Sequence, residues 1–333
     1  MKAAWYEAQG PAEDVLNVGE MPDPEPGAGE VLLRIRASGI NPGDVKKRSD
    51  EFGVGMPYPR VIPHSDGSGF VDAVGEGVSQ VSVGDRVWCF GAQSYRPFGT
   101  AAEYAVVPET NVAPLPEGVD FEQGACLGIP GITAHRAVNA AGPPEGKWVL
   151  VQGGAGAVGL AAVALAEFAG ARVIATVRSE AQEAVAMSAG AQVVVRTDGL
   201  SPSEVPSRIM DGAPDGVDHV VEVAFHANVL VDEQVLRQGG SIATYATGDP
   251  NPVIPFWPLV FKNVSLHFLG SDDFTPAQKQ TAAADISSAL AAGWAGYSIG
   301  QTYPLTDIAQ AHQAVENRSA GGRVVLDLPS GAL

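Results

Sequence analysis

One stretch of this chain has the residues and spacing needed to hold a pyrophosphate. Trp148, Val149, Leu150 and Val151 run through Gln152 into Gly153, Gly154, Ala155, Gly156, Ala157, Val158 and Gly159. In the spacing Gly154-x-Gly156-x-x-Gly159, the first glycine permits a tight turn and the second lets a pyrophosphate approach the backbone. The third lets helix and strand pack closely. The helix that follows offers free N–H groups and a partial positive charge to the phosphates. Among 40 glycines such a triplet can arise by chance, so the weight lies in its context of strand, loop, helix and strand.

The end of the next strand selects the dinucleotide. NAD-selective sites place Asp or Glu there to take the ribose hydroxyls. Here Ile174, Ala175, Thr176 and Val177 lead to Arg178 and Ser179, with no carboxylate before Glu180. Arg178 is placed to meet a 2′-phosphate, Ser179 can donate to it, and Arg196 after the third strand is a second cation. NADPH is the expected cofactor. The plainer reading of both arginines is a solvated surface charge.

The elements that would position this loop change character along the chain. Up to Glu122 the sequence reads as short strands between Gly and Pro turns, such as Val31 to Arg36, Gly69 to Val74, Val87 to Phe90 and Glu103 to Val107. That pattern suggests a compact, partly closed β-barrel. From Trp148 onward strands alternate with Ala-rich helices, the signature of a doubly wound parallel sheet. After Pro276 come two helical stretches and a last strand, Arg323 to Leu328. The expected division is 1–122 with 271–333 as a catalytic domain, and 123–270 as the nucleotide domain inserted into it.

Bulk properties narrow the function classes. The 333 residues exceed what one core usually organises, and 45% hydrophobic against 17% charged describes a folded globular protein. A net charge of −18 repels phosphate backbones and anionic lipid, which argues against nucleic-acid and membrane partners. Cys89 and Cys126 are the only cysteines, too few for a four-cysteine zinc lobe, and they read as unlinked buried thiols. Met1 leads into Lys2 without an apolar signal core, and the longest apolar stretches are broken well short of a span, so a cytoplasmic location is expected. His135, His219, His226, His267 and His312 show no metal-ligand spacing.

Taken end to end, the chain resembles the zeta-crystallin-like quinone reductases of the medium-chain dehydrogenase/reductase superfamily. The resemblance is carried by Pro26 to Val31, Ala37 to Asp44, Val74 to Val78, Gly84 to Val87, Gly131 to Ala134, the glycine loop and Gly322 to Leu326. It implies a GroES-like catalytic domain, a Rossmann domain and a cleft between them for nicotinamide and substrate. In the register of the zinc-dependent relatives, the ligand positions are Asn41, Ser65 and Asp66. Zinc wants thiolate or imidazole, so no zinc is expected. The same register puts Asn41 and Thr133 near the nicotinamide and Arg318 near the cofactor phosphates. The loops at Tyr245 to Thr247 and Phe268 to Gly270 should border the ring. Lys46, Gln182 and His64 depart from residues common in the family.

Roles follow with a plainer alternative beside each. Asn41, Thr133 and Tyr245 are the candidate catalytic residues, although Asn41 could only cap the Asn-Pro turn and Tyr245 could only pack. Lys46, Tyr58 and His64 are candidates for the substrate pocket. Lys46 and the adjacent Lys47 also read as solvated surface lysines, and His64 as a buried ring bonded to its surroundings. Without a Lewis acid an alkoxide would develop unstabilised, whereas quinones and α,β-unsaturated carbonyls delocalise incoming charge. A small quinone or enone is therefore the expected substrate. An enoyl-thioester reductase, an NADPH-binding protein with little turnover and a zinc alcohol dehydrogenase are the alternatives. Val264 to Leu269 reads as an exposed sheet edge, and relatives pair there, so a homodimer is expected.

Overall fold

The computed structural model describes residues 1–328; the last part of the expected range 271–333, residues 329–333, lies outside the described residues. In chain order the strands are β1 Lys2–Trp5, β2 Asn17–Glu20, β3 Glu30–Ile40, β4 Asp66–Val74, β5 Arg86–Cys89, β6 Tyr104–Pro108, β7 Val112–Pro114, β8 Trp148–Val151, β9 Arg172–Val177, β10 Val193–Arg196, β11 Val217–Glu222, β12 Leu236–Thr244, β13 Ser265–Phe268, β14 Ile299–Pro304 and β15 Arg323–Asp327. The chain divides into two compact units. The first holds Met1–Pro130, Asp272–Ala291 and 296–328, the second Gly131–Ser271 and Ala292–Ala295.

The first unit is built on a seven-stranded sheet in the order β14-β15-β3-β4-β5-β7, with β6 also pairing with β3. β3 is the spine. Val31, Leu33 and Ile35 point inward and are at most 1% exposed, while Arg34 and Arg36 lie over the rings of Phe70 and Phe121. Alternation of this kind puts one face of a strand in the core and the other toward solvent. The pairing of β3 with β4 shifts register between Ile35 and Ala37, and beside the shift only glycine fits. A Cβ on Gly69 would lie 2.0 Å from the carbonyl oxygen of Arg34. β15 runs antiparallel to β3, pairing Val324 with Ile40 and Asp327 with Ala37, so the last described strand lies beside the third. β14 was not foreseen in sequence, because Gly300 and Pro304 interrupt a weak alternation.

The second unit is a six-stranded sheet in the order β10-β9-β8-β11-β12-β13, parallel throughout. This is the Rossmann order, in which the strand sequence reverses beside the first strand. Val149, Leu150 and Val151 of β8 are completely buried, as are Val220 and Val221 of β11. Strands covered on both faces read as unbroken apolar runs. β13 is the edge, and its Phe268 is 71% exposed. Among the described residues no helix is long and apolar enough to cross a membrane.

Candidate active site

The glycine loop follows β8 and opens the helix Ala157–Phe168. Its left-handed residue is Gly153, at φ +68°, rather than Gly154. Gly154 is needed for a different reason: a Cβ there would lie 2.7 Å from the Cβ of Ala175 on β9. Gly159 lets the helix sit on the loop, since its Cβ would lie 2.2 Å from the Gly153 carbonyl oxygen. Gly156 is exposed and caps the helix. The first helical hydrogen bond is Leu160 N to Gly156 O at 2.7 Å. The amides of Ala157, Val158 and Gly159 precede it and have no partner within the helix. Ala155 to Val158 are partly or fully open to solvent. The cradle therefore fits a pyrophosphate, with the helix N-terminus facing it.

At the end of β9, Arg178 is exposed and its side chain has no ion-pair partner among the described residues. Gln182 accepts from the Arg178 amide at 2.8 Å, and Ser179 caps the helix Glu180–Ser188 by accepting from Gln182 N at 3.3 Å. The Ser179 hydroxyl proton remains to donate. Arg196 already pairs with Asp198 at 3.2 Å. Tyr245 follows β12, and Phe268 closes β13 with Gly270 just beyond. With the glycine loop they share the carboxyl edge of the parallel sheet, where such folds bind ligands. Thr133 lies on the helix Gly128–Val138 and is 5% exposed.

The first unit carries the remaining candidates, and Asn41 is the centre of them. It caps the helix Pro42–Ser49 in a capping box with Asp44, whose carboxylate accepts from the Asn41 amide at 2.8 Å. Its side chain is also committed. Asn41 Nδ2 donates to Asp66 Oδ2 at 2.7 Å, and Oδ1 accepts from Arg323 Nη2 at 2.8 Å. Asp66 takes two further bonds from Ile129 N, both 2.9 Å. Burial pushes Asp66 up to about 7 and Asp44 up to about 6, against the pull of their hydrogen bonds and nearby cations. Arg323 is 8% exposed; its charge lies near the Cys126 thiol and over the Tyr297 ring. Sequence reasoning assigned Arg323 to a strand and gave it no role. The available signal was a cation opening the apolar run Val324-Val325-Leu326.

His64 is inside the first unit, not on a pocket. Its φ is +77° and its side chain is fully buried. Arg48 Nε donates to His312 Nδ1 at 3.3 Å, so His312 must donate through Nε2 to His64 Nε2 at 2.9 Å. His64 Nδ1 then donates to Ser38 Oγ, Ser38 to Thr100 Oγ1 and Thr100 to the Asp66 carbonyl, at 2.8, 2.8 and 2.6 Å. Because an arginine can only donate, its position fixes both tautomers. Burial lowers His64 to about 3, so the ring is neutral and both nitrogens are occupied. Lys46 pairs with Glu51 at 2.6 Å, Lys47 with Asp272 at 3.2 Å, and Tyr58 donates to the Tyr95 carbonyl at 2.6 Å. Arg318 is exposed, in left-handed backbone at φ +52°.

Two family profiles match the chain: the alcohol dehydrogenase GroES-like domain over residues 27–117 and the zinc-binding dehydrogenase domain over 157–287. The rat quinone oxidoreductase is 33% identical over 91% of this chain and 90% of its own length. The chain belongs to the zeta-crystallin-like quinone oxidoreductase family. As a member of this medium-chain dehydrogenase/reductase group it is an NAD(P)-dependent oxidoreductase. A solved mycobacterial quinone oxidoreductase superposes with a TM-score of 0.85 at 29% identity, covering 98% of this chain and all of that one. A mycobacterial structure complexed with NADPH gives a TM-score of 0.81, also at 29% identity. The family's two folds thus correspond to the barrel-like first unit and the Rossmann second unit.

Proposed function

We propose that this chain uses NADPH to reduce small quinones or enones, with no metal ion in the reaction. The observation that carries the reading is the fixed amide of Asn41. Arg323 occupies its oxygen and Asp66 takes one of its two N–H groups. The amide is held as a donor, with one N–H left for the carbonyl oxygen of an acceptor or of the nicotinamide. A donor already oriented toward developing negative charge needs no reorganisation during the reaction.

The donor chemistry supports the metal-free part. An amide, the Ser65 hydroxyl and an aspartate already holding three hydrogen bonds make a poor zinc set, and a guanidinium adjoins them. NADPH, when bound, supplies the hydride. The loop amides of 157–159 would hold its pyrophosphate, and Arg178 with Ser179 its 2′-phosphate. Thr133, Tyr245, Phe268, Gly270, Arg196 and Arg318 are assigned to the cofactor's surroundings on the same reading, and Lys46 and Tyr58 to the acceptor's. A quinone or enone spreads the incoming charge, so one hydrogen-bond donor suffices.

The test is NADPH oxidation against naphthoquinones, enones, enoyl thioesters and a secondary alcohol, with and without a strong chelator. Quinone or enone turnover untouched by chelator is expected. Activity confined to the alcohol and abolished by chelator would overturn the reading. Arg178→Ala should weaken NADPH about ten- to a hundred-fold while barely changing NADH, because a charge-assisted phosphate contact is worth about 1.5–3 kcal/mol. We also propose a homodimer joined along the edge strand β13; light scattering at micromolar concentration giving a monomer mass would refute it.

A further inference from the structure

Beneath the glycine loop the second unit buries two acids. Glu222 closes β11 and Asp232 lies on the helix Phe225–Val235, and neither side chain is exposed at all. Glu222 Oε1 accepts from the Ala224 amide and from Asn228 Nδ2 at 3.1 Å. Asp232 Oδ1 accepts from Gln152 Nε2 at 2.8 Å. The other two oxygens, Glu222 Oε2 and Asp232 Oδ2, meet no N–H or hydroxyl donor among the described residues, and each carboxyl group lies within the electrostatic reach of the other. Glu222 already receives donors that favour its charge. Burial and the Glu222 charge push Asp232 well above the usual carboxylate range, so Asp232 is the acid held toward its neutral form.

From Asp232 a path of hydrogen bonds reaches the loop. Gln152 gives Nε2–H to Asp232, so its Oε1 accepts, and Thr176 Oγ1 donates to it at 2.7 Å. With its one proton spent, the Thr176 oxygen accepts from Gly153 N at 3.0 Å. The Thr176 carbonyl also takes Gly154 N at 2.9 Å. Gly153 is the left-handed residue that turns the chain into the loop. Without Asp232 the Gln152 Nε2–H would lose its acceptor at the buried end of the path, and two ionised carboxylates in the same dry space would repel.

We propose that Asp232 is a positioning residue for dinucleotide binding. It holds Gln152, and through Gln152 and Thr176 it sets the first amide of the glycine loop. The inference rests on the dinucleotide reading of that loop but not on the choice between NADPH and NADH, because the pyrophosphate is common to both.

The experiment titrates the full chain with NADPH and NADH in parallel, following fluorescence, with the melting temperature recorded for every variant. Asp232→Asn keeps the shape and an acceptor for Gln152. Its affinity should stay within about two-fold of wild type, one net hydrogen bond being worth about ten-fold. Asp232→Ala and Thr176→Val should each weaken binding about ten-fold, and the double variant no more than either alone, because both cut one path. A double variant weakened by the product of the two overturns the inference. So does Asp232→Asn binding as poorly as Asp232→Ala at an unchanged melting temperature. Thr176→Val is close in shape to the native residue, so it tests the middle of the path even if Asp232→Ala does not fold; wild-type affinity in that variant also overturns the inference. If wild type binds only NADH, the cofactor choice fails while the variants still decide the role of Asp232.

Discussion

The two units bury acids by different means. In the first, Asp66 and Asp44 lie where the charge of Arg323 reaches them, with Lys47 adding to it at Asp44, and Asp66 accepts from Asn41 and Ile129. In the second, Glu222 and Asp232 have no cation among their partners, and burial with the Glu222 charge raises Asp232 well above the usual carboxylate range, toward its neutral form. A buried ion and its partner depend on each other, since removing one leaves the other uncompensated. A protonated acid is neutral and can be replaced by an amide of the same shape. The first arrangement supplies a polarised site with fixed donors, and the second a rigid floor for a loop.

The largest effect that would break this comparison is on stability. Arg323→Met should cost about 3–5 kcal/mol by leaving buried acceptors unpaired, whereas Asp232→Asn should change stability by less than about 1 kcal/mol. Thermal melts of both variants measure this, and equal losses would remove the distinction.

A pH series gives the next effect. The folded chain lowers His64 from 6.5 to about 3. It therefore binds fewer protons than the unfolded chain, and the stability this group contributes is whole above 6.5 and lost as pH falls toward 3. Asp66, raised from 3.8 to about 7, has the opposite sign: its contribution is whole below 3.8 and lost as pH rises toward 7. Going from pH 7 to 5, wild type should lose about 2 kcal/mol more than His64→Asn, whose asparagine tolerates the left-handed backbone. Melting curves at both pH values check it; parallel losses would mean that His64 titrates normally.

The smallest effect concerns the cations of the second unit. Arg237 pairs with Asp218 at 2.5 Å, but its side chain is 54% exposed. Arg237→Ala should cost under about 1 kcal/mol. A loss as large as that of Arg323→Met would show that the second unit also relies on a cation.

Local features of this chain were legible in sequence, and contacts between distant segments were not. The glycine loop could be read because strand, turn and helix are consecutive, and because the residue after β9 is Arg178 rather than an acid. Even there the turn was assigned to Gly154 although Gly153 makes it, since the approach of Ala175 that requires Gly154 depends on how two strands pair. Asn41 was found through its motif, yet what fixes its amide is Arg323, 282 residues away. His64 was weighed for the substrate pocket because a histidine's type says nothing of its enclosure. Glu222 and Asp232 left a fainter trace, an acid ending the apolar β11 and another on the next helix, which periodicity reads as an ordinary strand end and an ordinary helix face.

The bond from Arg323 to Asn41 also constrains how this site could change. Asn41→Cys and Ser65→His would install a thiolate and an imidazole beside Asp66, but the new thiolate would face a guanidinium and pair with it. A zinc ion brought there would meet a fixed like charge in a poorly screened interior. Arg323 would have to go first, and its departure would strand the polar groups it now holds. The substitutions therefore have a required order with a costly first step, which makes the site an epistatic ratchet.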